Sequence, residues 1–199
     1  GEVVIIGGGM VGLSAAKVAV GLGASVTILD VSVPKLRYMD EILNGRVVTV
    51  MSNLDNIERS ARYADLLIGA VLIAGAKAPK LVSREIVEQM KPGSVIVDVA
   101  IDQGGCVETS RPTTHTAPTF EYSGVVHYCV GNMPAAVPRT STLALTNETL
   151  AYVQALADKG FEKAIASAPA LKRGVNVHDG KVVHPGVAGA FGMGCHGLS

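Results

Sequence analysis

Two stretches of this chain concentrate residues able to do chemistry. In GEVVIIGGGMVGLSAAKVAVGLGASVTILD, Gly7, Gly9 and Gly12 form a GxGxxG pattern and Asp30 follows eighteen positions after the last glycine. In DVAIDQGGCVETSRPTT stand Asp98, Asp102 and Arg111. Glycines at that spacing allow a tight turn, close backbone approach to a pyrophosphate and close helix–strand packing, and the free N–H groups of a following helix then face the phosphates. A carboxylate at the position of Asp30 can accept both ribose hydroxyls of an adenosine and repels a 2′-phosphate, so the pattern points to NAD in preference to NADP. Asp102 is flanked by Gln103, Gly104 and Gly105. It reads either as a proton-transfer carboxylate close to a nicotinamide or as a turn-stabilising aspartate. Arg111 reads as a partner for pyrophosphate or a carboxylate, or as a surface arginine. Asp98 reads as a loop cap. Lys77 and Lys80 could touch phosphate or stand in solvent.

The elements that must position these groups alternate along the chain. Val3–Ile6, Val26–Leu29, Val47–Met51, Leu66–Gly69 and Val95–Asp98 read as strands, and 10–21, 33–43, 54–63 and 83–90 as helices. That alternation implies βαβ units, and near-continuous apolar strands such as VIVDVA imply a parallel sheet covered on both faces. The expected fold class is a Rossmann-type, doubly wound α/β sheet. Ligands of such sheets lie beyond the carboxyl ends of the strands, which directs the 102–124 loop toward the cofactor. A further strand is expected at Val125–Tyr128. After Asn132 the alternation stops. NMPAAVPRTST leads into helices expected near 147–159 and 161–167, VNVHDGKVVH reads as a hairpin about Asp179-Gly180, and GVAGAFGMGCHGLS reads as loosely ordered. Residues 1–134 are expected to form the nucleotide domain and 135–199 a C-terminal segment of a second domain.

Composition narrows the functional classes. Acidic and basic residues balance at 17 each and no basic run occurs, so nucleic acid is not an expected partner. No apolar run approaches the roughly 18 residues of a membrane span, and no signal peptide is seen, so the reading is cytoplasmic. Cys106, Cys129 and Cys195 show neither disulfide nor zinc spacing, and His115, His127, His178, His184 and His196 show no metal-ligand spacing. No metal is expected.

Together, IGGGMVGLSAAKVAVGLGASVTILD, DLLIGAVLIAGAKAPKLVS, MKPGSVIVDVAIDQGGCVETSRPTT and YCVGNMPAAVPRTSTLALTN resemble the alanine dehydrogenase family over nearly all of residues 1–175. That family is related to the nicotinamide nucleotide transhydrogenase α subunit. The resemblance implies NAD-dependent interconversion of L-alanine with pyruvate and ammonium, in a cytoplasmic hexamer. It implies that Gly7, Gly9, Met10 and Gly12 carry the pyrophosphate and that Asp30 and Lys35 hold the adenosine ribose. Ser52 would lie near the adenine, and Val71 and Leu72 would pack on the cofactor. Val99, Ala100, Ile101, Asp102, Arg111, Val130, Gly131, Asn132 and Met133 would complete the NAD site, with Asp102 also the catalytic aspartate.

The family places a substrate domain before the first strand, supplying an arginine, a lysine and a catalytic histidine. The chain is therefore expected to be a fragment, inactive alone, with apolar surface uncovered after Pro134. Two other functions compete. A transhydrogenase-type NAD(H)-binding subunit would carry an asparagine-containing stretch in place of AIDQGG. A non-catalytic NAD-binding module is the other.

Overall fold

The structure is a computed structural model and describes residues 1–198. The chain divides into two compact units, one of residues 1–73 and 77–132, the other of residues 74–76 with those from Met133 onward.

The first unit is built on β1 (Glu2–Ile6), β2 (Ser25–Asp30), β3 (Val48–Met51), β4 (Leu66–Gly69), β5 (Val95–Asp98), β6 (Thr119–Tyr122) and β7 (Val125–Tyr128). They form one sheet in the order β3-β2-β1-β4-β5-β7-β6, parallel except for β6. Side chains alternate across each strand, and β1 shows the consequence. Val3 and Ile5 join one core with Leu13, Ala16 and Val20 of α1 (Met10–Gly21) and Met39 of α2 (Val33–Ile42). Val4 and Ile6 join another with Ile57 and Ala61 of α3 (Leu54–Tyr63) and Ile86 and Val87 of α4 (Arg84–Glu88). Each large aliphatic side chain buried this way contributes about 1.5–3 kcal/mol, which makes β1 the keel of the sheet. Side chains also set where α3 and α4 begin. Asn53 accepts the Asn56 N–H at 2.8 Å ahead of α3, and Ser83 Oγ accepts the Ile86 N–H ahead of α4.

This is the Rossmann-type sheet expected from the alternation, with one correction. Within the stretch read as a 102–124 loop, Thr119–Tyr122 pairs antiparallel with β7. Ser123 and Gly124 close that hairpin at φ 51° and 76°, the left-handed pair of a two-residue turn. On β7, His127 is fully buried. Its Nδ1 bonds the Val125 carbonyl at 3.0 Å, which makes that nitrogen the donor and leaves Nε2 to accept from Thr109 Oγ1 at 2.8 Å. Burial holds its pKa below the ordinary histidine value, so the ring is a neutral structural group.

The second unit contains α5 (Pro138–Ser167), α6 (Pro169–Gly174), the hairpin β8 (Val177–His178) and β9 (Lys181–Val182), and α7 (Pro185–Phe191). The helix expected from 147 begins nine residues earlier, because Pro138 opens its first turn. Gly160, at φ 71° and ψ 171°, breaks α5 between the two expected helices. The hairpin forms as expected, with Asp179 and Gly180 at positive φ. The glycine-rich end contains more order than expected. α7 is capped by His184 Nδ1, which accepts the Gly186 N–H at 3.2 Å, and the His196 N–H reaches the Val182 carbonyl at 2.8 Å. Along α5, Leu143, Leu150 and Val153 are exposed on one side of the helix, an apolar stripe of the kind that marks contact surface, and Leu145 is exposed on another side. Among the described residues no helix is long and apolar enough to cross a membrane.

Candidate nucleotide site and its aspartate

The carboxyl ends of the parallel strands share one edge of the sheet. Register places Ile6 beside Leu29 and Gly69, Asp30 beside Met51, Gly69 beside Asp98, and Val97 beside Tyr128. Strand order reverses between β1 and β4, the crevice where ligands of open α/β sheets lie.

The glycine turn sits at that crevice. Gly7 has φ 110°, and a Cβ there would come within 2.5 Å of the Ala70 carbonyl oxygen. At Gly12 a Cβ would lie 1.9 Å from the Gly7 carbonyl oxygen, so α1 can approach β1 only because this residue has no side chain. Gly9 differs from both. Its backbone is extended, at φ −83° and ψ −168°, and a Cβ there would meet no protein atom within 4 Å. Packing therefore explains glycine at 7 and 12 but not at 9. Met10, the first residue of α1, is exposed.

Asp30 ends β2 and is only 7% exposed. Its Oδ2 accepts the Gly8 N–H at 2.7 Å and lies 3.8 Å from Lys35 Nζ, while Oδ1 accepts the Ser32 N–H at 2.8 Å. The acid thus ties the glycine turn to β2, a task the spacing did not reveal. Each carboxylate oxygen has lone-pair capacity for a further donor. The Ser52 N–H donates to the Asp30 carbonyl at 3.0 Å, which sets Ser52 at the same edge. Past β4, Val71 is half-buried and Leu72 exposed.

The loop after β5 is held from within. Asp98 is fully buried; it accepts the Cys106 N–H on both oxygens, at 3.2 and 3.0 Å, and the Val107 N–H at 3.1 Å. The Cys106 thiol sits beside this carboxylate, and burial first, then the Asp98 charge, pushes its pKa up, so it is no thiolate nucleophile. Lys80 Nζ donates to the Gly104 carbonyl at 2.7 Å and the Val107 carbonyl at 3.0 Å. It fastens this loop, where the sequence had left phosphate contact open, and Lys77 is exposed.

A one-turn 3-10 helix, Val99–Gln103, then carries the candidate aspartate. Ala100 and Ile101 are buried and Val99 half-buried, so the turn is seated while Asp102 is exposed. The Asp102 carboxylate accepts the Asn132 N–H, at 3.1 Å to Oδ1 and 3.2 Å to Oδ2. Val130 is fully buried, Gly131 half-buried and Asn132 exposed. Arg111 is exposed, with its guanidinium 4.4 Å above the Phe120 ring, a cation–π contact that orients the group. Met133 opens the 3-10 turn Met133–Ala136 of the second unit. Sequence reasoning passed over Gly8 and Phe120; the run of three glycines was the available signal for the first, and the second lay on the unread strand β6.

Strand order, the glycine turn into α1 and the acid closing β2 define a Rossmann-type α/β protein. More narrowly, the chain belongs to the family described as "Alanine dehydrogenase/PNT, C-terminal domain", whose model matches residues 1–185. It is 59% identical over 192 residues to an alanine dehydrogenase of Halomonas elongata, covering 96% of this chain and 52% of that protein. A solved L-alanine dehydrogenase superposes with TM-score 0.83 at 56% identity, over 96% of this chain and 53% of that one. A transhydrogenase from Sinorhizobium meliloti superposes with TM-score 0.71 at 26% identity, over 92% of this chain and 49% of that one. The chain spans about half the length of the curated relatives it matches.

Proposed function

We propose that this chain is the nucleotide-binding half of an NAD-dependent alanine dehydrogenase, which interconverts L-alanine with pyruvate and ammonium. The observation that carries the reading is Asp102, an exposed carboxylate held at the carboxyl end of β5 on the edge that also bears the glycine turn and Asp30. Identity of 59% to an alanine dehydrogenase, against 26% to a transhydrogenase, supports this reading over a transhydrogenase-type subunit.

The residues present fit NAD. Glycine at 9 serves no packing need, and a Cβ there would fill the space over the first turn of α1, where phosphate approaches backbone N–H groups. Gly7, Gly9, Met10 and Gly12 would hold the pyrophosphate, and Asp30, Lys35 and Ser52 the adenosine. Val71, Leu72, residues 99–102, Arg111 and residues 130–132 would border the nicotinamide end. Bound there, NAD supplies the hydride acceptor.

The chain's own contribution to chemistry is proton transfer at the Asp102 oxygens. As carboxylate, Asp102 takes a proton from the water that attacks the substrate carbon; as acid, it returns one to the departing nitrogen. Asn132 N–H keeps the carboxylate at its post. Arg111, stacked on Phe120, keeps its N–H edges free for phosphate or carboxylate. The groups that grip the substrate carboxylate belong to the other half of the relatives' length. By the same reading the whole enzyme is a cytoplasmic hexamer serving alanine catabolism.

The test is alanine-dependent NADH formation. The full-length protein is expected to show it and the 199-residue chain alone to show none. Robust activity of the chain alone would sink the division of labour, and an inactive full-length protein would sink the substrate.

A further inference from the structure

Among the described residues, the hydrogen bonds of the Asp102 carboxylate run to a single donor, the Asn132 N–H. Asn132 has φ 52°, the left-handed region, which costs an ordinary L-residue about 1–2 kcal/mol and is tolerated best by glycine and asparagine. Its surroundings fix that geometry from several sides. The Asn132 carbonyl lies 3.2 Å from His115 Nε2, the Gly131 N–H donates to the Thr113 carbonyl at 3.2 Å, and the Thr113 N–H donates to the Cys129 carbonyl at 2.9 Å. A Cβ at Gly131 would lie 3.3 Å from Asp102 Oδ1, so the carboxylate rests directly against the backbone ahead of Asn132.

The direction of the Asn132 N–H depends on the plane of the 131–132 peptide. A residue that resists positive φ regains a negative value by turning that plane, and the N–H then leaves the carboxylate. We infer that Asn132 is a positioning residue for Asp102, acting through its left-handed backbone and not through its side-chain amide. The role rests on the reading of Asp102 as the proton-transfer group. It also gives exposed His115 a part, as the partner of the Asn132 carbonyl on the other side of the same residue.

Three substitutions separate backbone from side chain. Asn132→Gly removes the amide and keeps the left-handed backbone, Asn132→Ala resists that backbone, and Asn132→Val resists it most. In the full-length enzyme kcat is expected to fall in the order Gly, Ala, Val. The Val variant should lie about 5- to 30-fold below the Gly variant, the factor that 1–2 kcal/mol represents, while KM for alanine changes less. If Asn132→Val does not fold, Asn132→Ala against Asn132→Gly makes the comparison.

A second readout needs no turnover. In ¹H–¹⁵N spectra of the 199-residue chain, Asp102→Ala should displace the residue-132 amide resonance in the wild-type and Asn132→Gly backgrounds, and leave it in place in the Asn132→Val or Asn132→Ala background. Equal kcat losses in the Gly and Val variants, or a residue-132 amide indifferent to Asp102→Ala in the wild type, overturn the inference. The kinetics of Asp102→Asn tell the two failures apart. Intact kcat there overturns the proton-transfer reading itself, whereas lowered kcat there with equal Gly and Val losses overturns only the part given to Asn132.

Discussion

Asp102→Asn in the full-length enzyme should lower kcat by roughly 10²- to 10⁴-fold, the usual cost of losing a general acid–base group, while the NADH dissociation constant changes little. Asparagine keeps the size and shape of the side chain, and its carbonyl oxygen can still accept the Asn132 N–H at the position Asp102 uses. What it loses is proton exchange. A turn-stabilising aspartate would behave differently: kcat would survive and a small loss of stability would appear. Steady-state kinetics and an NADH titration on this one variant separate the two, and unchanged kcat would remove Asp102 from the chemistry.

Gly12→Ala should damage folding and nucleotide binding together. The added Cβ would stand 1.9 Å from the Gly7 carbonyl oxygen, and neither backbone can yield without moving α1 off β1. Overpacking a close-packed contact costs about 1–3 kcal/mol, and a clash against backbone belongs at the upper end. At about 3 kcal/mol the melting temperature of a chain this size falls by roughly 6–12 °C. Gly9→Ala is the matched control. It meets no protein atom within 4 Å, so the melt should barely move, yet NAD affinity should fall because the methyl stands where phosphate approaches. Thermal melts and calorimetric titrations of both variants check the contrast. A Gly12→Ala protein melting with the wild type would contradict it.

How far the sequence revealed this molecule depended on the range of the interactions involved. β1 and β2 were legible because strands buried on both faces read as apolar runs, β4 and β5 because their half-buried positions are apolar as well, and α1 and α3 because their ends carry the glycine turn and the Asn53 cap. β6 was not, since TFEY is an edge strand whose residues are exposed or only half-buried, and its partner lies across a two-residue Ser-Gly turn weaker than Asn-Gly as a signal. The first turns of α5 were hidden by RTST, where threonines argue against helix, so NMPAAVPRTST read as a lead-in to the helix although Pro138 already opens it. At the candidate site, motif spacing led to Gly7, Gly12 and Asp30. The contacts that hold the groups were beyond it. Gly8 to Asp30 spans 22 residues and Asn132 to Asp102 spans 30, and no local period links residues so far apart.

The most direct measurement is a calorimetric comparison of NAD and NADP binding to the 199-residue chain, with Asp30→Ala as the third arm. Asp30 closes β2 with its carboxylate fixed by the Gly8 and Ser32 N–H groups, and a 2′-phosphate brought to it would set like charges against each other, offset among the described residues by Lys35, 3.8 Å away. Like-charge juxtaposition costs several kcal/mol, so NAD should bind at least about tenfold more tightly than NADP. Asp30→Ala should narrow that preference, weakening NAD by removing an acceptor and easing NADP by removing the charge. Equal affinities in the wild type, or no detectable binding of NAD, would contradict the assignment of this chain as an NAD-binding unit.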